Sequence, residues 1–308
     1  MEERWITFFS EGSRLIGNLF MPSGIQAGEK RPGIVLCHGF TGIRELMLRD
    51  YARRFAEAGY IALIFDYRGF GESEGPKWRL LPMEQVDDIR NALTWLSTQP
   101  EVDTQRMGLW GTSFGGAHVP YVAGVDTRVK AAVAQVGFDT GERFLLSVRN
   151  ESEQAELRRQ LDDDRRLRVV EGQGRYIDPF ERALSNPQAS GFIGNALQSY
   201  PHMRCLLSWQ TWEKTLEYRP LDVVDKITPR ALLLIAAEHD TVCPPAGYQK
   251  LYECAGDPKK LIILPISHYE IYVGHWFEES ATHAVQWFDT YLKYNGIEDP
   301  GIITETPA

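Results

Sequence analysis

The chain has 308 residues, 43% of them hydrophobic and 24% charged, which is typical of one large globular domain or two small ones. Its formal net charge of -9 argues against a nucleic-acid partner, because phosphate contacts need clustered Lys and Arg. No apolar run approaches the roughly 18 residues of a membrane span, and residues 1–15 lack a signal-peptide pattern, so we expect a cytoplasmic protein without a membrane partner. The four scattered cysteines show no C-x-x-C spacing and predict no metal site.

The first half of the chain alternates strand and helix patterns. The segments 5–9 and 14–20 lie too close for a helix between them and predict an antiparallel hairpin at a sheet edge. Strands are then predicted at 33–39, 60–66, 106–111 and 129–137, and helices at 44–58, 83–99 and 114–123. This alternation predicts an α/β fold with a doubly wound, mostly parallel sheet.

The alternation stops between residues 139 and 221, where we find no strand signal. Residues 149–174 are highly charged and helical in composition, and we expect them to present a solvated helix face. We interpret 139–221 as a helical cap inserted into a core made of 1–138 and 222–308. The aromatic residues Trp209, Trp212 and Tyr218 of this cap are expected to form an apolar wall for a substrate.

The core pattern resumes after the insertion. Strands are predicted at 230–238 and 259–265, with helices from about residue 246 and from 276 to 294.

A glycine-rich turn follows the strand that ends at Trp110. The sequence Gly111-Thr112-Ser113-Phe114-Gly115 lies between a strand and a helix, which is the pattern of a nucleophile elbow. Such a turn holds the serine in a costly backbone conformation, and the flanking glycines remove Cβ atoms that would clash. Ser113 is therefore the candidate nucleophile.

A serine needs a histidine base and a carboxylate that orients it, and in this architecture they follow in the order acid, then histidine. Asp240 follows the strand at 230–238, and His268 follows the strand at 259–265. Both lie past the carboxyl ends of strands, where open α/β sheets place their sites. Glu238 is the alternative acid.

Two backbone N–H groups are needed to stabilise an oxyanion. The first candidate is the amide of Phe114, the residue after the proposed nucleophile. The second is the amide of Phe40, in the loop His38-Gly39-Phe40-Thr41-Gly42 that follows the apolar residues 33–37.

These motifs resemble the α/β-hydrolase superfamily, and most closely its dienelactone-hydrolase and serine-aminopeptidase-like branch. The resemblance includes the segment D-Y-R-G-F-G-E-S-E-G that starts at Asp66, and it covers the predicted core but not the cap. It implies a Ser113, Asp240 and His268 triad, oxyanion donors at Phe40 and Phe114, and neither a metal nor an organic cofactor. It also implies that Arg68 and Ser73 shape the wall near the oxyanion loop. Dienelactone hydrolases proper have a cysteine where this chain has Ser113.

We therefore predict a serine hydrolase that cleaves a small-molecule carboxylic ester through an acyl-enzyme. An amidase or peptidase with the same triad is an alternative, and an aminopeptidase would need a cap carboxylate to hold the substrate amine. Hydrolysis of a lactone or of a carbon–carbon bond is a second alternative. A non-catalytic ligand-binding protein on the same fold is a third. For a cytosolic hydrolase, a homodimer is a further expectation.

Overall fold

The computed structural model describes residues 1–185 and 187–293. Its strands are β1 (Glu2–Ser10), β2 (Ser13–Met21), β3 (Arg31–Cys37), β4 (Ile61–Phe65), β5 (Val102–Thr112), β6 (Val129–Gln135), β7 (Tyr176–Ile177), β8 (Leu207–Ser208), β9 (Ala231–Ala237) and β10 (Lys259–Leu264). Its helices are α1 (Leu48–Glu57), α2 (Pro82–Ser97), α3 (Phe114–Val125), α4 (Gly141–Leu146), α5 (Glu151–Val170), α6 (Pro179–Ser185), α7 (Pro187–Ser199), α8 (Gln210–Leu216), α9 (Ala246–Cys254) and α10 (Gly274–Phe288).

One sheet of eight strands runs in the order β1-β2-β4-β3-β5-β6-β9-β10. The β1–β2 pair is antiparallel and lies at the edge, and β2 is also antiparallel to β4. The remaining pairs are parallel. The predicted α/β fold class and the edge hairpin are therefore confirmed.

The strand order reverses between β3 and β5. From β3 the chain moves outward to β4, and α2 then carries it back to the other side of β3, where β5 begins. Loops after β3 and β5 therefore leave the sheet next to each other at its carboxyl edge. Such a switch point is where open α/β sheets form their ligand crevices.

Helices cover both faces of the sheet. On one face α1 and α10 contribute Tyr51 and Phe288 to the core, and on the other face α2 contributes Ile89, together with residues of α3 and α9. Strand β5 serves both faces, with Leu109 on one side and Trp110 on the other. This follows from the alternation of side chains along a strand.

Residues 139–221, which we call the insert, contain α4 to α8 among the described residues. They also hold the two-residue strands β7 and β8, which pair antiparallel. The expectation of no strand in this region was therefore wrong, because two residues are too few to produce a period-2 pattern. The charged stretch forms α5, and Asn150 and Glu153 form a capping box at its start.

The two ends of the insert lie side by side on the core. The amide of Leu221 donates to the carbonyl of Asp139 at 3.0 Å, and the amide of Gly141 donates to the carbonyl of Tyr218 at 2.8 Å. Within residues 1–185 and 187–293, no helix has the length and apolar character needed to cross a bilayer. The predicted last helix corresponds to α10, and its expected end at Tyr294 lies outside the described residues.

Candidate active site

Ser113 lies at a strained turn between β5 and α3. Its backbone has φ 56° and ψ -120°, a conformation that costs energy for a residue with a side chain. Its amide donates to the carbonyl of Gln135 on the neighbouring strand at 2.9 Å, which fixes the turn against the sheet. The geometry is that of the predicted elbow.

The turn brings backbone segments too close for side chains at the flanking glycines. A Cβ on Gly115 would lie 2.3 Å from the carbonyl oxygen of Cys37, and one on Gly111 would lie 2.5 Å from that of Gly115. Both distances are far inside van der Waals contact. The glycines are therefore required by packing at this turn.

Ser113, His268 and Asp240 form a continuous hydrogen-bonded chain. His268 Nε2 lies 3.0 Å from Ser113 Oγ, and its Nδ1 lies 2.7 Å from Asp240 Oδ2. The second carboxylate oxygen of Asp240 accepts from the amides of Val242 and Cys243, both at 2.7 Å. These two bonds hold the carboxylate with one oxygen facing the imidazole.

The alternative acid, Glu238, does not take part in this arrangement. Its side chain is exposed, although its amide bonds to the carbonyl of Leu264 in the next strand. Asp240 and His268, in contrast, are buried.

The loop after β3 lies directly against Ser113. A Cβ on Gly39 would be 3.0 Å from the Ser113 Cβ and 3.4 Å from its Oγ, so the absence of a side chain keeps this approach open. Phe114 is the first residue of α3, and its amide therefore has no partner within the helix. The rings of Phe40 and Phe114 are neighbours, with centroids 5.6 Å apart, so the loop after β3 packs against the start of α3.

A cavity of about 420 Å³ opens above Ser113, and we call it the Ser113 cavity. The core contributes Phe40, Leu46, Tyr269 and Tyr272 to its wall, next to Ser113 and His268. The insert contributes an apolar set that includes Phe144, Leu145, Phe180, Phe192, Ile193 and Met203. The lining is mostly apolar, which suits the hydrocarbon part of a small ligand.

Only one of the three predicted wall residues lies in this cavity. Trp212 lines it and stacks on Phe40, with ring centroids 5.3 Å apart. Trp209 instead lies under the guanidinium of Arg175, 5.2 Å from it, and packs among the helices of the insert. Tyr218 is buried behind α3, where its hydroxyl bonds His118. The prediction for Trp209 and Tyr218 needs correction, because aromatic residues in that stretch also build the junction between insert and core.

Arg68 and Ser73 support the loop after β4 and do not line the Ser113 cavity. Arg68 pairs with the buried carboxylate of Asp88, and Ser73 Oγ donates to the carbonyl of Asp66 at 2.6 Å. Their expected place in the wall is corrected accordingly: they hold the loop from behind.

A model of the α/β-hydrolase fold matches residues 32–265. The chain belongs to the α/β-hydrolase fold family. The match extends from β3 to the end of β10 and so includes both ends of the insert, as well as Ser113 and Asp240.

The chain is similar to several known proteins. An uncharacterized 31.7 kDa protein from the traX-finO intergenic region of Escherichia coli is 37% identical over 265 residues, covering 85% of this chain and 92% of that protein. The thiohydrolase aneE of Aspergillus aculeatus is 26% identical, covering 87% of this chain and 86% of its own. The crystal structure of the α/β hydrolase GrgF from Penicillium superimposes with a TM-score of 0.79 at 25% identity, covering 95% and 100% of the two chains. The dienelactone-hydrolase and serine-aminopeptidase-like branch stays a prediction.

A buried polar group lies behind the site, and the sequence did not predict its hydrogen bonds. His118 Nδ1 lies 3.0 Å from the Tyr218 hydroxyl, and its Nε2 lies 3.0 Å from Gln85 Oε1. Burial lowers the pKa of His118 to about 3, and burial likewise lowers that of His38 to about 4. The signal in the sequence was a histidine one turn after the elbow, in a helix otherwise made of small and apolar residues.

Proposed function

We propose that the protein is a serine hydrolase that cleaves a carboxylic ester through an acyl-enzyme. The observation that carries the proposal is the chain of hydrogen bonds from Ser113 through His268 to Asp240, at the floor of an apolar cavity. Hydrogen bonds of 3.0 and 2.7 Å are within the range needed for proton transfer between these groups.

The mechanism follows from the arrangement of the side chains. Ser113 Oγ attacks the acyl carbon while His268 Nε2 takes its proton, and Asp240 stabilises the imidazolium through Nδ1. The amides of Phe40 and Phe114 donate to the oxyanion of the tetrahedral intermediate. His268 then protonates the leaving group, and in the second half-reaction it activates the water that releases the acid.

We also propose that the insert acts as a cap over a core made of 1–138 and 222–308. Side chains from α4, α6, α7 and α8 lie on the wall of the Ser113 cavity, opposite the triad. The insert would therefore determine which acyl groups fit, while the core supplies the chemistry.

The lining of the Ser113 cavity favours an ester over an aminopeptidase substrate. Among the described residues it contains no Asp or Glu that could hold a substrate ammonium group. An unpaired ammonium placed against this apolar wall would lose its hydration without compensation.

The test is hydrolysis of a nitrophenyl ester series from acetate to decanoate, compared with aminoacyl anilides. We expect ester turnover that falls on the order of 10⁴-fold or more in Ser113→Ala, because the nucleophile is lost. A fluorophosphonate probe should label the wild-type protein at Ser113 and leave Ser113→Ala unlabelled.

Two outcomes contradict the proposal. Absence of labelling at Ser113 together with no turnover would favour a ligand-binding role on this fold. Anilide turnover without ester turnover would reassign the protein as a peptidase.

A further inference from the structure

A second cleft lies on the other side of the oxyanion loop. It measures about 270 Å³ and is lined by the loop after β4 and by the insert segment that follows the 3-10 turn Pro201–Met203. We call it the Lys77 cleft. It shares Thr41 and Met203 with the Ser113 cavity, so the two spaces adjoin.

The Lys77 cleft is basic in a protein that is acidic overall. Its wall carries Lys77, His202 and Arg204, and no Asp or Glu is among the described residues that line it. This composition contrasts with the whole chain, which has 42 acidic residues against 33 Lys and Arg.

Neighbouring carboxylates pair with side chains other than Lys77 and Arg204, although one of them pairs with His202 of the cleft. Glu45 pairs with His202 at 3.1 Å, Glu74 pairs with Arg14 at 2.7 Å, and Glu72 pairs with Arg44. Within the described part of the chain, neither Lys77 nor Arg204 pairs with a carboxylate. Lys77 Nζ donates to the carbonyl of Ser73 at 3.2 Å, which leaves two of its three donors for another group. Both exposed cations are therefore available to an external anion.

The loop that carries Lys77 is held in place. The carboxylate of Asp66 accepts from the amides of Arg44 and Glu72, at 2.7 and 3.1 Å, and the amide of Trp78 donates to the carbonyl of Gly69 at 3.2 Å. Trp78 adopts φ 59° and its ring lies at the cleft, 37% exposed. A fixed loop reduces the entropy lost when a ligand binds.

We propose that the Lys77 cleft binds a phosphate on the leaving group of the substrate, with Lys77 and Arg204 as its ligands. A phosphomonoester carries about two negative charges and three acceptor oxygens near neutral pH, which matches two cations from two segments better than a singly charged carboxylate does. Arg supplies a fork of donors and Lys a point charge. The inference rests on the proposed function, since it assigns a binding site to the leaving group of that substrate.

The substrate would then be an acyl ester or thioester of a phosphorylated alcohol or thiol. The acyl chain lies in the Ser113 cavity, and the leaving group extends past Thr41 into the Lys77 cleft. Attack by Ser113 forms the new C–O bond and breaks the bond from the acyl carbon to the sulfur or oxygen of the leaving group. His268 returns the proton to that atom, so a phosphorylated thiol or alcohol departs, and water completes the cycle.

The experiment compares two matched substrate pairs that differ in phosphate. One pair is S-octanoyl 4′-phosphopantetheine and S-octanoyl pantetheine, and the other is 1-octanoylglycerol 3-phosphate and 1-octanoylglycerol. We expect the phosphate-bearing member of at least one pair to have the lower KM. Lys77→Gln and Arg204→Gln should each raise that KM roughly three- to tenfold, so the ratio within the pair moves towards one. The pair whose KM ratio changes in the variants shows whether the leaving group is a thiol or an alcohol.

Lys130→Gln is the matched control. Like Lys77, Lys130 donates from Nζ to a backbone carbonyl, that of Thr127 at 3.1 Å. It lies at the start of β6, where the amino ends of the parallel strands are, and so away from the Lys77 cleft. It should leave the KM ratio of both pairs unchanged. Equal KM values within both pairs for the wild type would overturn the inference while leaving the serine hydrolase intact. The inference would also be overturned if Lys77→Gln and Arg204→Gln raised the KM of both members of a pair by the same factor.

A binding measurement separates this inference from failure of the catalytic proposal. Calorimetric titration of Ser113→Ala with 4′-phosphopantetheine and with glycerol 3-phosphate needs no turnover. Binding of either that weakens in a Lys77→Gln, Arg204→Gln double variant supports the cleft, even if none of the four substrates is hydrolysed. No binding of either probe, together with no turnover of the phosphate-bearing substrates, overturns it.

Discussion

The carboxylate of Asp240 shows how single residues prepare this site. Two loop amides occupy one of its oxygens and His268 the other, so the acid has one orientation with respect to the imidazole. Glu238, two residues earlier, is exposed and lacks this role. The difference arises from the loop, because the amides of Val242 and Cys243 converge on the Asp240 side chain.

Asp240→Asn should reduce kcat about 10⁴-fold, because an amide nitrogen facing Nδ1 favours the wrong imidazole tautomer. The measurement is steady-state hydrolysis of the best nitrophenyl ester. Glu238→Gln is the matched control and should retain wild-type turnover. Equal losses in the two variants would show that Asp240 is not the specific partner of His268.

Close packing at Gly115 gives a second prediction at this scale. Gly115→Ala puts a methyl group 2.3 Å from the Cys37 carbonyl oxygen and should lower the free energy of unfolding by about 1–3 kcal/mol, with loss of ester turnover. Urea denaturation measures the first effect. Gly191→Ala in α7 is the control, since its Cβ would meet nothing within 4 Å, and it should be neutral or stabilising. A stable, active Gly115→Ala would mean that the turn is looser than described.

Among the elements, α8 and α4 connect the insert to the oxyanion loop and to the elbow. Trp212 of α8 stacks on Phe40, and Phe144 of α4 stacks on Phe138 with centroids 4.6 Å apart and also approaches Phe114. These contacts mean that the insert supplies part of the wall of the Ser113 cavity and also packs on the residues whose amides we assign to the oxyanion.

Trp212→Ala should shift the preferred acyl chain of the ester series towards longer chains, because it removes one boundary of the Ser113 cavity. A loss of kcat smaller than that of Asp240→Asn should accompany this shift, because Phe40, whose amide we assign to the oxyanion, loses its stacking partner. Trp209→Ala serves as control: it lies outside the cavity and should change stability without moving the preferred chain length. An unchanged preference in Trp212→Ala would indicate that the acyl group binds elsewhere.

The sequence allowed the core elements to be predicted well and the insert poorly. Strands such as β4 and β9 are short apolar runs flanked by turn residues, so local pattern is enough to find them. The candidate triad could be proposed from the sequence because each member follows a predicted strand, and parallel strands end at the same edge of the sheet. The wall of the cavity is different: Phe192 meets Tyr269 at 5.0 Å across a large sequence separation, and no periodicity encodes such a contact.

For the whole molecule, two buried histidines link stability to pH. Since an amide oxygen only accepts, His118 Nε2 donates to Gln85 Oε1, and Nδ1 accepts from the Tyr218 hydroxyl, so the neutral ring satisfies both contacts. The pKa of His118 in the folded state is about 3 and that of His38 about 4, both depressed by burial from the ordinary 6.5. The unfolded chain therefore binds protons at these residues before the folded protein does.

It follows that their contribution to stability is complete above pH 6.5 and is lost as the pH falls from 6.5 towards 4. The slope should reach about 1.4 kcal/mol per pH unit for each histidine. Urea denaturation between pH 7 and pH 4.5 measures it. His118→Gln should make the slope shallower, whereas His275→Gln, at an exposed side chain paired with Glu279, should leave it unchanged. Identical slopes in wild type and His118→Gln would contradict this assignment.

The adjacent ends of the insert have a consequence for how this protein can be altered. Asp139 and Leu221 are joined by a backbone hydrogen bond, so a short linker at that point could close the chain without disturbing the strand order. We expect that a different segment can be grafted onto the same two anchor points in place of residues 139–221. We expect new substrate preferences from such a replacement, provided that the new segment repeats the packing of Trp212 on Phe40 and of Phe144 on Phe114.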